Sequence, residues 1–416
     1  MNWRCTVRFA FCGATGLAFS AGQPIGIITS VAFPAVALKA NSRREAYAAA
    51  ASYYGGASWP IIVASRNFFG PNAGICDGIL LWLSAVFLLS LPWLSLWTDR
   101  GRQLFWRAQL SVLLTVAPPL GLIGWASPLT AAGYLFPSTS WLGLVSVVLA
   151  IGSLASYPRI AVPAIVSVAA LANLIYGEPG KQVPWVGINT HFGGISHERT
   201  SALKELNAVE AIQQQAFVSE AHVVIFPEAV VRNWGVATDS FLSGSIAELR
   251  KAGKTVIIGS KIETSSSASW FSPADFAASV AILQARSLAP RIPIAPNSAV
   301  SFKNVLIVRG TDTGVFEQRV PVPLGMWKPL SNRGVPLRPF SPGVLSVAGE
   351  RAGVLICYEQ LLTWPMLTSM LARPTVLVAV ANDYWEGGTT IPNVQLTAVR
   401  AWARLNSIPY VSATNF

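Results

Sequence analysis

The chain has 416 residues and a formal net charge of +11, with 12% charged residues against 52% hydrophobic. An ordinary soluble domain carries about 25% charged residues, so a disordered chain, a coiled coil and an ordinary cytosolic enzyme are excluded. Four cysteines exclude a disulfide scaffold and a cysteine-rich zinc module.

The charges are unevenly spread. Residues 1–176 hold 10 Lys and Arg with 3 Asp and Glu, and residues 177–416 hold 20 and 16. The run Tyr176-Gly177-Glu178-Pro179-Gly180 marks the junction, because Gly and Pro end a helix there. A membrane domain over 1–176 is expected, followed by a water-soluble domain over 177–416.

Crossing a bilayer takes roughly 20 apolar residues. Runs of that kind fall near 3–19, 23–38, 47–65, 78–97, 108–127, 138–155 and 160–176, which predicts about seven transmembrane helices. A cleaved signal peptide is the alternative for the N-terminus, but further apolar runs follow it at once. With the N-terminus inside, the inner loops hold Arg4, Arg8, Lys39, Arg43, Arg44, Arg100, Arg102, Arg107 and Arg159. The outer loops before residue 177 hold only Arg66. This asymmetry predicts a bacterial inner membrane protein with residues 177–416 on the outer, periplasmic face. Trp59, Trp97, Trp106 and Trp125 fall near span ends, where interfacial tryptophans belong. Much of the net charge is then topology signal and requires no nucleic-acid partner.

After residue 183 short β-rich runs alternate with helical ones. Strands are expected over 183–189, 222–226, 254–260, 279–283, 304–309, 353–357, 375–381 and 408–412, and helices near 198–217, 239–252, 360–372 and 393–405. Such alternation predicts an α/β domain, and chemistry in such sheets collects beyond the carboxyl ends of strands. Three strand ends carry polar groups: Pro227-Glu228, Cys357-Tyr358-Glu359 and Asn382-Asp383.

Several motifs can be set aside. Gly253-Lys254-Thr255 lies between a helix and a strand, the reverse of a phosphate loop. His191, His197 and His222 have no metal-binding spacing on a helix, and no Gly-x-Ser-x-Gly occurs. No metal and no cofactor are expected. Cys357 remains. A free Cys at a strand end is commonly a small buried hydrophobe. Here Cys5, Cys12 and Cys76 lie in the first part, so Cys357 cannot pair within its own domain. It also has Glu359 two residues on and Glu228 at another strand end, and a carboxylate in a dry site can serve a thiol as base.

The ordered set Phe226-Pro227-Glu228, Arg319-Val320-Pro321-Val322-Pro323-Leu324-Gly325, Cys357-Tyr358-Glu359 and Asn382-Asp383-Tyr384-Trp385 resembles the nitrilase (carbon-nitrogen hydrolase) superfamily. More narrowly it resembles the membrane-bound apolipoprotein N-acyltransferases, a likeness that extends to residues 53–71. Residues 118–141 look closer still to the plasmid conjugal transfer relatives of those enzymes. The resemblance implies a multi-pass α-helical membrane bundle followed by an α-β-β-α sandwich with a Glu-Lys-Cys triad. It implies a Cys thioester that takes an acyl chain from a phospholipid and passes it to the amine of a lipoprotein. Carried over by motif, Glu228 is the base, Cys357 the nucleophile and Glu359 a supporting carboxylate.

Two departures qualify this. The triad Lys position falls on Gln318, and a further acidic position on Met326. Losing one oxyanion-stabilising charge can cost about a hundredfold in rate. Lys328 is the candidate substitute, because Arg319 neighbours Gln318 and would point to the opposite face of a strand. The chain is also expected to be shortened at its C-terminus relative to the family, ending at Phe416. Three functions follow, in this order. The first is a thiol acyltransferase or amidase on a lipid-linked substrate. The second is a catalytically weak or inactive component of a conjugation apparatus, partnered by other conjugation proteins. The third is a membrane-anchored nitrilase that hydrolyses a small amide or nitrile.

Overall fold

A computed structural model describes residues 3–69, 74–179, 183–193, 201–264, 301–329, 334–386 and 388–416, with the side chains of 102, 201–206 and 237 excepted. The expected strand over 279–283 lies outside them.

The first part is helical throughout. α1 (Trp3–Ser20), α2 (Pro24–Thr29), α3 (Phe33–Leu38), α4 (Arg43–Ser58) and α5 (Pro60–Phe69) are followed by α6 (Ile75–Leu96), α7 (Gly101–Val116), α8 (Ala132–Leu135), α9 (Trp141–Ser156) and α10 (Pro158–Ile175). Proline sets several breaks, because its ring suits the first helical turn and disrupts the interior. Pro24, Pro60 and Pro158 each open a helix. The run expected over 47–65 is therefore split between α4 and α5, and α7 stops at Val116 before Pro118 and Pro119.

Two described helices, α6 and α10, are long and apolar enough to cross a membrane by length and composition. Leu80, Leu83 and Phe87 of α6, and Ile160, Val166, Leu171 and Leu174 of α10, are exposed. Apolar surface of this extent calls for a lipid or protein cover.

The second part contains two sheets. The first has the order β1 (Trp185–Gly187), β2 (Val223–Ile225), β3 (Thr255–Thr264), β4 (Ser301–Gly310), β5 (Gly314–Glu317), and the second β6 (Val344–Val347), β7 (Glu350–Ile356), β8 (Val376–Asn382), β9 (Tyr410–Asn415). β1, β2 and β3 run parallel, as do β7, β8 and β9, while β4, β5 and β6 pair antiparallel. Side chains alternate across a strand, and the alternation sorts the layers. Ile225, Ile257, Leu306 and Val308 meet Val354, Ile356, Val378 and Val380 between the sheets. Val224, Val256, Ile258 and Ile307 face outward against Ile212 of α11 (Ser201–Val218) and Leu242 of α12 (Val236–Lys251). On the other side Leu355, Leu377 and Ala379 join Met366 of α13 (Thr363–Leu371) and Val399 of α14 (Ile391–Asn406). The result is a nitrilase-like α-β-β-α sandwich.

Its last layer is seated on the helical part. Trp93, Trp125 and Phe136 belong to the same buried cluster as Met366 and Trp402. Tyr134 donates to the Thr397 carbonyl (2.9 Å), Thr397 to the Gly22 carbonyl (2.6 Å) and Tyr358 to the Leu122 carbonyl (3.1 Å). A Cβ at Gly133 would come within 1.7 Å of the Ala401 oxygen, so only glycine allows α8 to lie this close to α14.

Candidate active site

Four polar residues line up across the inner face of the first sheet. Glu228 follows β2 and lies over Gly259 of β3, where a Cβ would stand 2.5 Å from the Glu228 Cα. Two residues beyond Gly259, Lys261 is the register partner of Asn304 on β4. Gln318 follows β5, and its amide donates to the Asn304 carbonyl (2.9 Å). Leu306 and Phe316, paired across β4 and β5, face the inter-sheet core, so strand alternation turns Asn304 and Gln318 to that same face.

Hydrogen bonds join this row to the second sheet. Asn304 Nδ2 donates to Glu228 Oε1 (2.5 Å) and to Gln318 Oε1 (3.0 Å). Glu228 Oε2 accepts from the Asn382 amide at the end of β8 (3.1 Å), and Gln318 Nε2 donates to the Ile356 carbonyl at the end of β7 (3.2 Å).

Cys357 is the next residue after Ile356. Its φ of 50° is left-handed, a conformation that costs a residue with a Cβ about 1–3 kcal/mol and is found where a site needs a particular aim. The thiol is buried, and the Glu228 carboxyl acts on it. Burial pushes the Cys357 thiol well above its usual range, and the charges of Glu228, Glu386 and Asp383 push it further. Burial also raises Glu228, against its hydrogen bonds from Asn304 and Asn382. The pair therefore rests as a thiol beside a carboxyl group of raised proton affinity, which is what accepting the thiol proton requires.

Two further sets of carboxylates flank the thiol. Glu359 is fully buried and accepts from the amides of Arg319 (2.6 Å), Val320 (2.9 Å) and Ile356 (3.2 Å) and from Arg319 Nη2 (3.4 Å). Arg319 points away from Gln318, as alternation requires, to the Pro365 carbonyl, Thr368, Ser369 and the Val354 carbonyl. Glu359 thus holds the backbone on which Cys357 is carried. Asp383 and Glu386 are also buried, yet Asp383 Oδ1 and both Glu386 side-chain oxygens have no hydrogen-bond partner among the described residues. Burial and the Glu228 charge push Asp383 up to about 7, and burial, Asp383 and Glu228 push Glu386 well above the carboxylate range. Among the described residues no group of His, Cys, Asp and Glu is arranged to hold a metal ion.

Lys328 is exposed, and neither a hydrogen bond nor an ion pair joins it to Glu228 or Cys357. The expected substitute cation is therefore not part of this cluster. Met326 is half-buried in the same loop. Lys261, Asn304 and Glu386 went unnoticed in the sequence. The available signal was a lysine two residues after a strand glycine, in phase with Ile257.

An apolar cavity of about 290 Å³ lies between the two halves of the protein and reaches Tyr358, the residue after Cys357. Tyr358, Trp385, Pro323 and Leu324 line it from the sandwich, and Tyr54, Phe68, Leu88 and Trp125 from the helices. Phe68 meets the Trp385 ring edge-on at 5.0 Å.

Residues 302–404 match the carbon-nitrogen hydrolase family. Along most of its length the chain is similar to curated conjugal transfer proteins. It is 29% identical to the probable conjugal transfer protein TraB of Sinorhizobium fredii NGR234, over 95% of this chain and 94% of that protein. It is likewise 29% identical to the conjugal transfer protein TraB of Agrobacterium fabrum C58, over 100% of this chain and 93% of that protein. Solved structures that align include a carbon-nitrogen hydrolase from Helicobacter pylori G27, with 12% identity and a TM-score of 0.36 over 55% of this chain and 72% of that one. A variant of an amidase from Nesterenkonia sp. AN1 aligns with 12% identity and a TM-score of 0.32 over 55% and 74%. The carbon-nitrogen hydrolase-like region thus lies in the second part of the chain, over residues 302–404.

Proposed function

We propose that this protein is a membrane-bound thiol acyltransferase of carbon-nitrogen hydrolase type that serves plasmid conjugal transfer. Its acyl donor is a lipid, and its acceptor is an amine on a lipid-linked or lipoprotein-like substrate. The conjugation role is supported by the two conjugal transfer relatives, aligned over nearly their whole lengths. The observation that carries the chemistry is the apolar cavity, which lies between the helical part and a stretch of the sandwich that includes Tyr358, next in the chain to Cys357. A cavity lined so heavily by apolar groups suits a hydrocarbon chain better than a small polar amide.

In the proposed reaction Glu228 takes the Cys357 proton and the thiolate attacks the ester carbonyl of the donor. A C–S bond forms, the C–O bond breaks, and the leaving alkoxide takes the proton from Glu228. The acceptor nitrogen then attacks the thioester and loses its proton to Glu228. The C–S bond breaks and the thiolate recovers that proton.

The same proposal includes the multi-pass topology, with residues 177–416 on the periplasmic face. It rests on the asymmetry of basic residues between loops and on the exposed apolar faces of α6 and α10. A reporter active only outside the inner membrane should be active when fused after Lys181 and inactive after Arg44 or Arg102. An inactive fusion at Lys181 would reverse the orientation.

A second reading keeps the fold as a module without turnover, favoured by Gln318 standing where the resemblance implies lysine. Intact mass spectrometry after incubation with phospholipid vesicles separates the two. An acyl-sized increment on Cys357 supports the transferase. No increment, with Cys357 still open to a small alkylating reagent, supports the module.

A further inference from the structure

We propose that Lys261 supplies the positive charge of the Glu228–Cys357 site, its ammonium turning from the Phe302 ring toward Asn304 and Glu228 when a carbonyl carbon is attacked. This deepens the thiol chemistry proposed above and rests on it, whatever the acyl donor.

The placement comes from strand geometry. Lys261 has the same parity as Ile257, which faces the inter-sheet core, and as Gly259, on which Glu228 lies. Its register partner is Asn304, and Asn304 Nδ2 bonds both Glu228 and Gln318. Lys261, Asn304 and Gln318 therefore form one row on the face that meets Cys357, with Glu228 at its end.

The Lys261 ammonium rests over an aromatic ring. It stands 5.1 Å from the centroid of the Phe302 ring and takes part in neither a hydrogen bond nor an ion pair among the described residues. A cation over a ring at a partly open position gains only about 0.5–1 kcal/mol. The row also offers it a partner, because Asn304 Oδ1 is buried without a donor among the described residues. Leaving such an acceptor unmatched costs about 1–3 kcal/mol, and an ammonium carries three donors.

The site needs a cation for a stated reason. Thiolate attack moves the carbonyl π pair onto oxygen, and the resulting oxyanion forms close to Glu228, Asp383 and Glu386. Without a neighbouring positive charge that step is strongly uphill. Among the described residues the neighbouring cations are placed elsewhere. Arg319 is committed to Glu359 and to α13, and Lys328 is exposed. Arg232, in the loop after Glu228, acts on Lys261 itself. Among the described residues Lys261 is the cation whose field acts on Glu228. Burial lowers its own proton affinity, and Glu228 opposes that shift. When the tetrahedral adduct collapses, the pair returns to carbon and the leaving group departs with the proton held by Glu228.

The test is the rate of Cys357 alkylation by iodoacetamide against pH, on the full chain in detergent. Peptide mapping separates Cys357 from Cys5, Cys12 and Cys76. Lys261→Met should slow alkylation at pH 7.5 about tenfold and move the profile up by about one unit, which is the same tenfold in thiolate population. Lys261→Arg should stay within about threefold of the parent, and Gln318→Lys added to Lys261→Met should restore most of the loss. A Lys261→Met profile that superimposes on the parent overturns the proposal. Should Lys261→Met fail to fold, Lys261→Gln takes its place, and identical profiles for Lys261→Gln and Lys261→Arg overturn it equally. Iodoacetamide requires no acyl donor. A protein that never forms an acyl adduct but shows these shifts refutes the transferase and leaves Lys261 in its role.

Discussion

Two groups of buried carboxylates stand on either side of Cys357 and differ in how they are satisfied. Glu359 accepts three backbone amides and an arginine. Asp383 and Glu386 leave three of their oxygens without a donor among the described residues. A carboxylate whose lone pairs are filled by fixed donors is a structural anchor, and one left bare in a dry site must hold a proton or meet a ligand. The first group fixes the backbone that carries the thiol. The second adjusts the charge the thiol experiences.

The largest effect should come from breaking the anchor. Glu359→Ala leaves the Arg319 guanidinium buried without its counter-charge and three amides without their acceptor. Loss of one partner of a buried pair costs about 3–5 kcal/mol, so thermal unfolding in detergent should show a sharply lowered midpoint or no folded protein. A parent-like midpoint would make Glu359 a bystander.

The bare group should show itself through pH. Asp383 is raised from its usual value to about 7, so the folded state binds its proton more tightly than the unfolded state does. The associated stability is present below the unfolded value near 4 and is lost as pH rises to about 7. The parent midpoint should therefore fall between pH 5 and 7.5, and Asp383→Asn should flatten that slope. An unchanged slope would remove Asp383 from the coupled set.

The smallest effect is expected at Glu386. Glu386→Met fills similar volume and removes a group that burial and Asp383 make costly to ionise. The midpoint should rise by a few degrees at pH 8, about 1 kcal/mol, and change little at pH 5. A lower midpoint at pH 8 would mean that the Glu386 charge is matched by an attractive partner.

The sequence revealed the strands with continuous apolar runs, such as 222–226, 353–357 and 375–381, because strands buried on both faces are written that way. β5 and β6 escaped, each four residues long with exposed or half-buried positions. Glu228, Cys357 and Asp383 were legible as polar residues at the ends of such runs. Asn304 and Lys261 were not, because they meet Glu228 only through pairing between β3 and β4 across a separation of 43 residues in sequence. Lys328 drew attention by its nearness in sequence to Gln318, but the loop carries it to the surface. Helix breaks were legible at Pro24 and missed at Pro60, where the surrounding residues are uniformly apolar.

The central claim is that Glu228 and Cys357 act together on an acyl carbonyl, and the most direct measurement is a time course of acyl-adduct formation. Parent and Glu228→Gln would be incubated with the same phospholipid vesicles and followed by intact mass, with unfolding midpoints confirming that both are folded. The account predicts an adduct on Cys357 of the parent and a rate at least about a hundredfold lower in Glu228→Gln, the scale on which a positioned general base acts. Equal rates in the two proteins, or no adduct in a folded parent whose Cys357 alkylates readily, would contradict it.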